Sequence, residues 1–160
     1  MAGHAITIRD ARGDEAERLL GIQREASVAG FANVFPAERY PYPTDGVREL
    51  WHETLADPEV DAYVAELDGE PVGTVTVNGE FVRQLYVLPS HWEAGIGSQL
   101  LERGLERMRE RGATRAKLWT LEGNERGRRF YERRGWTLTD ETRVVPYPPN
   151  PIDVQYAIDL

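Results

Sequence analysis

The chain has 160 residues, 41% of them hydrophobic and 29% charged, and it carries a formal net charge of −8. Cysteine is absent, which excludes disulfides, thiol catalysis and cysteine-built metal sites. The acidic balance argues against nucleic acid as a partner, and no apolar run approaches the roughly 18 residues that a membrane span needs. We therefore expect one globular domain over residues 1–160, located in the cytoplasm and without a secretory signal.

The first third of the chain predicts one strand and two helices. Residues 6–9 alternate like a short strand, and Asp14 with Glu17 resembles a capping box that opens the first helix. Residues 29–44 contain three prolines and four aromatics without a clean period, which predicts a loop or a broken helix. A second helix then opens at Thr44 or Asp45, and an inward stripe is predicted on it. The stripe consists of Val47, Leu50, Trp51 and Leu55.

The rest of the chain predicts a sheet interrupted by two more helices. Asp68-Gly69 and Asn78-Gly79 are turn dipeptides that join three antiparallel strands. The 96–112 helix, a strand over 115–122, a helix over 124–134 and two closing strands follow, with a proline-rich connector before the last. This order predicts an α+β domain built on one central sheet.

A glycine turn, Gly95-Ile96-Gly97, stands where a strand hands over to the 96–112 helix. A helix start exposes unpaired N–H groups, so two positions without side chains would let an anion approach that backbone. The alternative is a tight helix entrance without a ligand. The dinucleotide fingerprint fits poorly, because Leu100 stands where a third glycine is required.

A second motif is the segment GNERGRRFYERRGW at residues 123–136. It places Asn124 at a helix start, Gly127 one turn in and Tyr131 two turns in. A glycine inside a helix costs about 1 kcal/mol relative to alanine, so Gly127 indicates close packing against the sheet or a ligand, or simple drift. Taken singly, Asn124 is also consistent with a helix cap and Tyr131 with a half-buried aromatic.

Together, QLYVLP followed by GIG and then N..G..FY...GW resemble the GNAT superfamily of N-acetyltransferases, and the resemblance runs from ITIRDA to the closing QYAIDL. It implies a GNAT-like α+β fold, with a mixed central sheet of six to seven strands flanked by about four helices. It also implies an enzyme that moves an acetyl group from acetyl-CoA to a primary amine by direct attack in a ternary complex. The acceptor is either a small amine or a peptide amine, and no metal is required.

The resemblance assigns site residues by motif. The pantetheine arm would lie between the fourth and fifth strands, with the pyrophosphate on the amides that begin the 96–112 helix. Asn124 would bind the pantetheine, and the Tyr131 hydroxyl would protonate the departing thiolate. The implied acetyl-CoA contacts are Leu85, Tyr86, Val87, Trp92, Glu93, Ala94, Gly95, Ile96, Gly97, Ser98, Asn124 and Tyr131.

The general base and the acceptor surface are less defined. The position that often carries the family's catalytic carboxylate is Phe81, so we predict Glu80 as the base if a turn or a β-bulge shifts the register by one. Otherwise the proton leaves through water, relayed to His91 or Glu122. The aromatic, acidic segment predicts an acceptor surface because aromatic faces attract ammonium groups. Its residues are Phe31, Tyr40 and Tyr42.

Several departures from the family pattern keep a second function open. Trp92 and Ala94 stand where the family usually has polar or basic residues, and Glu93 places a negative charge beside the expected pyrophosphate. We therefore expect weakened CoA binding, and the alternative function is a non-catalytic GNAT-like module that binds CoA or another ligand. The sequence leaves a monomer and a homodimer both open. It shows no metal-ligand spacing among His4, His52 and His91.

Overall fold

The computed structural model describes residues 5–160, so His4 lies outside the described residues. The chain alternates strands and helices in the order that the sequence predicts. The helices are α1 Ala16–Gly30, α2 Thr44–Ala56, α3 Ile96–Glu110 and α4 Glu125–Glu132, with a short 3-10 turn at Pro89–His91. The strands are β1 Ile6–Asp10, β2 Asp61–Leu67, β3 Glu70–Asn78, β4 Phe81–Val87, β5 Arg115–Leu121, β6 Thr137–Val144 and β7 Ile152–Asp159.

The seven strands form one sheet in the order β1-β2-β3-β4-β5-β7-β6. All neighbours are antiparallel except β4 and β5, which run parallel. The mixed sheet of seven strands with four α-helices confirms the predicted α+β fold. In the described residues, no helix is both long and apolar enough to cross a membrane.

Two apolar clusters cover the two faces of the sheet. On one face α3 packs over β2, β3 and β4, and its buried side is the predicted one. On the other face α1 and α2 cover Val64 and pack against Tyr86. Leu50 departs from the prediction, because 42% of it is exposed. The buried residues of α3 that the sequence predicts are Ile96, Leu100, Leu101, Leu105 and Met108.

The start of α1 differs from the predicted capping box. Helix α1 is preceded by Glu15, and no side chain caps it. The Glu15 carboxylate instead accepts the backbone N–H of Arg12 at 2.6 Å and pairs with Arg9, 2.7 Å from its Nη2. The prediction of a capping box formed by Asp14 and Glu17 is therefore wrong. The carboxylate that stabilises this turn belongs to Glu15, and it forms an ion pair with Arg9 of β1.

The turn between β3 and β4 is displaced by one residue from the prediction. Asn78 pairs with Phe81, so Gly79 and Glu80 form the turn, with Gly79 at φ 60°. Further along β4, Thr76 pairs with Gln84 while Val77 pairs with Val82. Arg83 is thus an extra residue, and β4 contains a β-bulge.

Beyond its first residue, β4 separates from β5. The two strands pair only at Phe81 and Lys117, and the Lys117 N–H donates to the Glu80 carbonyl at 2.7 Å. A wedge-shaped gap therefore opens in the middle of the sheet, directed toward the start of α3.

Candidate active site

Two cavities meet at the gap between β4 and β5. The larger has a volume of about 600 Å³ and extends to the start of α3 and along α4. The smaller, of about 140 Å³, lies between β4 and β5 themselves. The residues that line both are Phe31, Leu85, Tyr86, Asn124 and Tyr131.

The gap leaves backbone groups of β4 without a strand partner. The Leu88 N–H donates to the Val72 carbonyl, and hydrogen-bonded pairs alternate along an antiparallel ladder. The N–H and C=O of Leu85 and Val87 therefore point toward β5, which pairs with β4 only at the far end. The Val87 carbonyl accepts the indole N–H of Trp92 at 2.8 Å. Within residues 5–160, the N–H groups of Leu85 and Val87 and the Leu85 carbonyl have no hydrogen-bond partner and could bind a ligand.

Helix α3 begins at the large cavity with its N–H groups free. The first intrahelical bond runs from the Gln99 N–H to the Gly95 carbonyl, so the amides of residues 96–98 have no partner within the helix. Gly95 has φ 82°, a left-handed conformation that favours glycine. Gly97 has room for a small side chain, because an added Cβ would lie 3.6 Å from Phe130. The turn thus has the geometry of an anion cradle.

Arginines of α4 and of the turn that follows it place positive charge beside the start of α3. The guanidinium carbon of Arg126 lies 3.8 Å from the ring centre of Trp92, and that of Arg134 lies 3.7 Å from the ring centre of Phe130. The Arg134 Nε is also 3.4 Å from the Ser98 hydroxyl. Arg128 points elsewhere and donates to the Tyr156 hydroxyl at 2.9 Å.

Asn124 caps α4 and is tied to β5. Its side-chain oxygen accepts the Gly127 N–H at 3.1 Å, and its amide nitrogen donates to the Thr120 hydroxyl at 3.0 Å. One amide hydrogen and one lone pair remain for a ligand. A Cβ on Gly127 would lie 2.2 Å from the Asn124 amide nitrogen, so Gly127 permits the close approach of its own helix cap.

Tyr131 lies at the junction of the two cavities. Its ring packs edge-on against Phe130 and Trp136, with centroid distances of 5.2 and 5.8 Å. Burial raises the pKa of the Tyr131 hydroxyl above its ordinary value, with a further contribution from nearby Tyr86. The hydroxyl is therefore protonated at neutral pH and available as a donor, while its raised pKa makes it a weaker acid than an exposed tyrosine.

Glu80, the predicted base, lies outside both cavities. It forms the β3–β4 turn, its side chain is 52% exposed, and its carboxylate lies 3.2 Å from the Lys117 ammonium nitrogen. The β-bulge does not shift the register at Glu80, because the extra residue is Arg83, which follows the turn. The position of Glu80 at the closed end of the gap thus gives no support to the predicted role. Of the two proposed relays, His91 lines the larger cavity and Glu122 lines neither.

The other predicted residues fall into two groups. Tyr40 and Tyr42 do not line either cavity, since Tyr40 packs edge-on against Phe35 and Tyr42 joins the α1–α2 cluster. Ala94 is exposed on the turn and is also not part of the lining. The remaining predicted residues border the larger cavity, namely Phe31, Leu85, Tyr86, Val87, Trp92, Glu93, Gly95, Ile96, Gly97, Ser98, Asn124 and Tyr131.

The cavities also contain residues that the sequence did not single out. Arg129 joins the larger cavity, while Gln84, Trp119 and Asp153 line the smaller. Asp153 belongs to the last strand, and only the insertion of β7 beside β5 brings it to the gap. Within residues 5–160, no group of three or more histidines and carboxylates is arranged to hold a metal.

Comparison with known proteins agrees with this geometry. The acetyltransferase (GNAT) family profile matches residues 31–136, and the chain belongs to this family. N-acetyltransferase is therefore the class of enzyme that the family profile and the curated relatives define. The chain is 31% identical over 154 residues to the peptidyl-lysine N-acetyltransferase YjaB of Salmonella typhimurium, covering 89% of this chain and 94% of that protein.

Two further similarities extend the comparison. An uncharacterized N-acetyltransferase of Archaeoglobus fulgidus is 39% identical over 96 residues, which cover 53% of this chain and 65% of that protein, just under two thirds of its length. The PaiA N-acetyltransferase of Thermoplasma acidophilum, solved in complex with coenzyme A, superposes with a TM-score of 0.77 over 98% of this chain and 99% of that one. At 18% identity, this last likeness is one of fold.

Proposed function

We propose that the protein transfers an acetyl group from acetyl-CoA to a primary amine by direct attack in a ternary complex. The observation that carries the proposal is the gap itself, where backbone N–H groups of β4 that lack a β5 partner lie beside two cavities that share Tyr131. When bound, acetyl-CoA would supply the reactive thioester. The protein's residues would hold it, polarise it and move protons.

The larger cavity fits the phosphate end of CoA. The free amides of residues 96–98 and the positive end of the α3 dipole favour an anion there. Arg126 and Arg134 line the same cavity and add two cations. Glu93 works against them, but its side chain is exposed to solvent, which weakens the repulsion. The Thermoplasma protein of similar fold was solved in complex with coenzyme A, which supports CoA as the ligand.

The end of the gap that belongs to the larger cavity, beside Leu85 and Val87, fits the pantetheine arm and the thioester. The amide-bearing arm would pair with the free groups of Leu85 and Val87 as an added strand would. One of these N–H groups would stabilise the negative charge that develops on the thioester oxygen as the amine attacks. Tyr131 would then donate its proton to the sulfur as the carbon–sulfur bond breaks, and ordered water would take the proton that the attacking amine loses.

The acceptor is a primary amine, either a small molecule or a peptide. YjaB, described as a peptidyl-lysine N-acetyltransferase, supports a lysine side chain as one candidate. Phe31 lines both cavities and stays the predicted acceptor contact, whereas Tyr40 and Tyr42 would act only from outside them.

The test is to titrate the protein with acetyl-CoA by calorimetry and then to follow thiol release with a panel of amines and lysine peptides. We expect saturable binding, with thiol release that depends on the amine. CoA binding without thiol release for any amine would instead support the non-catalytic binding module. Absence of CoA binding would reject the acetyltransferase and a module that binds CoA.

A further inference from the structure

We infer that Asp153 binds the ammonium group of the acceptor amine in the smaller cavity, an inference that rests on the proposed function. Asp153 and Arg83 are the two charged residues of that cavity's lining, so Asp153 supplies the carboxylate. The cavity shares Tyr131 and Leu85 with the larger one. A ligand in it would therefore end next to the proposed thioester position.

The direction of Asp153 follows from the alternation of side chains along β7. Val154 and Tyr156 are buried in the cluster under α3, on the same side as Tyr131. Asp153 therefore faces the opposite side of the sheet, the side covered by α1 and α2 further along. The smaller cavity passes between these two sides through the gap. An amine that enters past Asp153 would thus approach from the face opposite Tyr131.

The Asp153 carboxylate is mostly buried, and within residues 5–160 only one of its two oxygens accepts a hydrogen bond. Its side chain is 12% exposed, and its Oδ2 accepts from the Arg143 Nε at 3.0 Å. Within residues 5–160, no hydrogen bond reaches its Oδ1. Arg143 is 55% exposed and stacks at 4.4 Å on the Trp119 ring. An ion pair with so exposed a partner contributes little, so Arg143 competes weakly with a ligand for the carboxylate.

The rest of the wall suits a slender organic cation. Phe31, Tyr86 and Trp119 contribute aromatic surface, and aromatic faces attract ammonium groups. The volume of about 140 Å³ equals four to five water molecules at about 30 Å³ each. The chemical class that fits is an unbranched primary alkylammonium, such as the end of a lysine side chain or a short alkylamine.

The test measures binding rather than turnover, with n-butylammonium as the probe. The dissociation constant is determined by NMR titration on protein saturated with CoA, for the wild type and for Asp153→Asn. We expect the Asn variant, which keeps the side-chain shape but removes the charge, to bind the probe at least tenfold more weakly. Its CoA affinity should be unchanged.

Arg143→Gln is the matched control, because it breaks the same ion pair while keeping the carboxylate. We expect it to bind n-butylammonium as tightly as the wild type or more tightly. Equal binding by wild type and Asp153→Asn, an equal loss in both variants, or no probe binding to the wild type would overturn the inference. A protein that binds the probe through Asp153 but releases no thiol from acetyl-CoA would reject the proposed catalysis while keeping this site.

Discussion

The guanidinium of Arg126 on α4 lies over the indole of Trp92, with 3.8 Å between the guanidinium carbon and the ring centre. The two residues belong to different motifs of the sequence and meet at the phosphate end of the larger cavity. Trp92 occupies a position where a polar or basic side chain was expected. Its ring instead holds a cation from another element in place, which restores positive charge beside the α3 amides.

Replacing Arg126 with Gln should weaken CoA binding about tenfold, which corresponds to about 1.4 kcal/mol. The reason is the loss of one charged contact to the phosphates, and the binding that remains should depend less on salt. Calorimetry at low and high ionic strength measures both effects. Arg109→Gln is the control, since it removes the same charge from the far end of α3, where Arg109 lies 3.5 Å from Glu102. Unchanged CoA affinity in a folded Arg126→Gln protein would contradict the role.

Tyr131→Phe should lower turnover by a factor of about 10² or more while the CoA dissociation constant stays within a factor of about two. Only the hydroxyl is lost, and the ring keeps its contacts with Phe130 and Trp136. Because burial raises the pKa of this hydroxyl, its proton is retained as pH rises. The wild-type rate should therefore show no loss from Tyr131 up to about pH 10. Steady-state kinetics from pH 6 to 10 measure this.

Tyr147→Phe provides the comparison, because Tyr147 is 48% exposed and is not part of either cavity lining. It should keep wild-type turnover at every pH. If Tyr131→Phe did the same, Tyr131 would be a structural residue and the thiolate would take its proton from water.

Glu80→Gln should leave the pH–rate profile unchanged and lower the free energy of unfolding by about 0–1 kcal/mol, the usual range for an exposed ion pair. The physical reason is the pairing of Glu80 with Lys117, outside both cavities. Lys117→Gln should have the same small effect on stability. A rate that fell by a factor of about 10²–10⁴ with an alkaline shift would instead establish Glu80 as the base.

Gly127→Ala should destabilise the protein by about 1 kcal/mol, although alanine is normally the better helix residue. The added Cβ would collide with the Asn124 amide, which must then give up its cap bond or its bond to Thr120. Thermal unfolding and CoA titration measure the two consequences. Gly21→Ala in α1, where nothing lies within 4 Å of the added Cβ, should stabilise instead. Destabilisation by Gly127→Ala should vanish when Asn124 is already alanine.

The sequence predicted the elements well because most of them carry a local pattern of apolar residues, caps or turn dipeptides. The buried stripe of α3 and the alternation of β1 need only local information, and both are as predicted. The motif around Asn124 and Tyr131 could also be placed, since its residues lie within three turns of one helix. Their roles in binding and proton transfer stay predictions.

Features that depend on long-range pairing were missed. The contact of Arg126 with Trp92 joins residues of two separate motifs, and the position of Asp153 requires β7 to insert between β5 and β6. The β4 bulge places its extra residue at Arg83, which no turn dipeptide marks. The pairing of Glu80 with Lys117 was also missed, because the position of a carboxylate in the sequence says nothing about the cation on the neighbouring strand, and the role of Glu80 as base stays a prediction.

The single β4–β5 pairing at Phe81 and Lys117 divides the sheet into two halves. Strands β1 to β4 form one half and strands β5 to β7 form the other. Few backbone hydrogen bonds fix the angle between the two halves of the sheet. A ligand that bridges Leu85 and Val87 to β5 would therefore replace the hydrogen bonds that the two strands do not make. Binding of the cofactor would then also make the sheet more rigid. As the CoA concentration rises, the melting temperature of the protein should increase and the amide hydrogens of the central strands should exchange more slowly. The supply of cofactor in the cell would then also affect the lifetime of the folded protein.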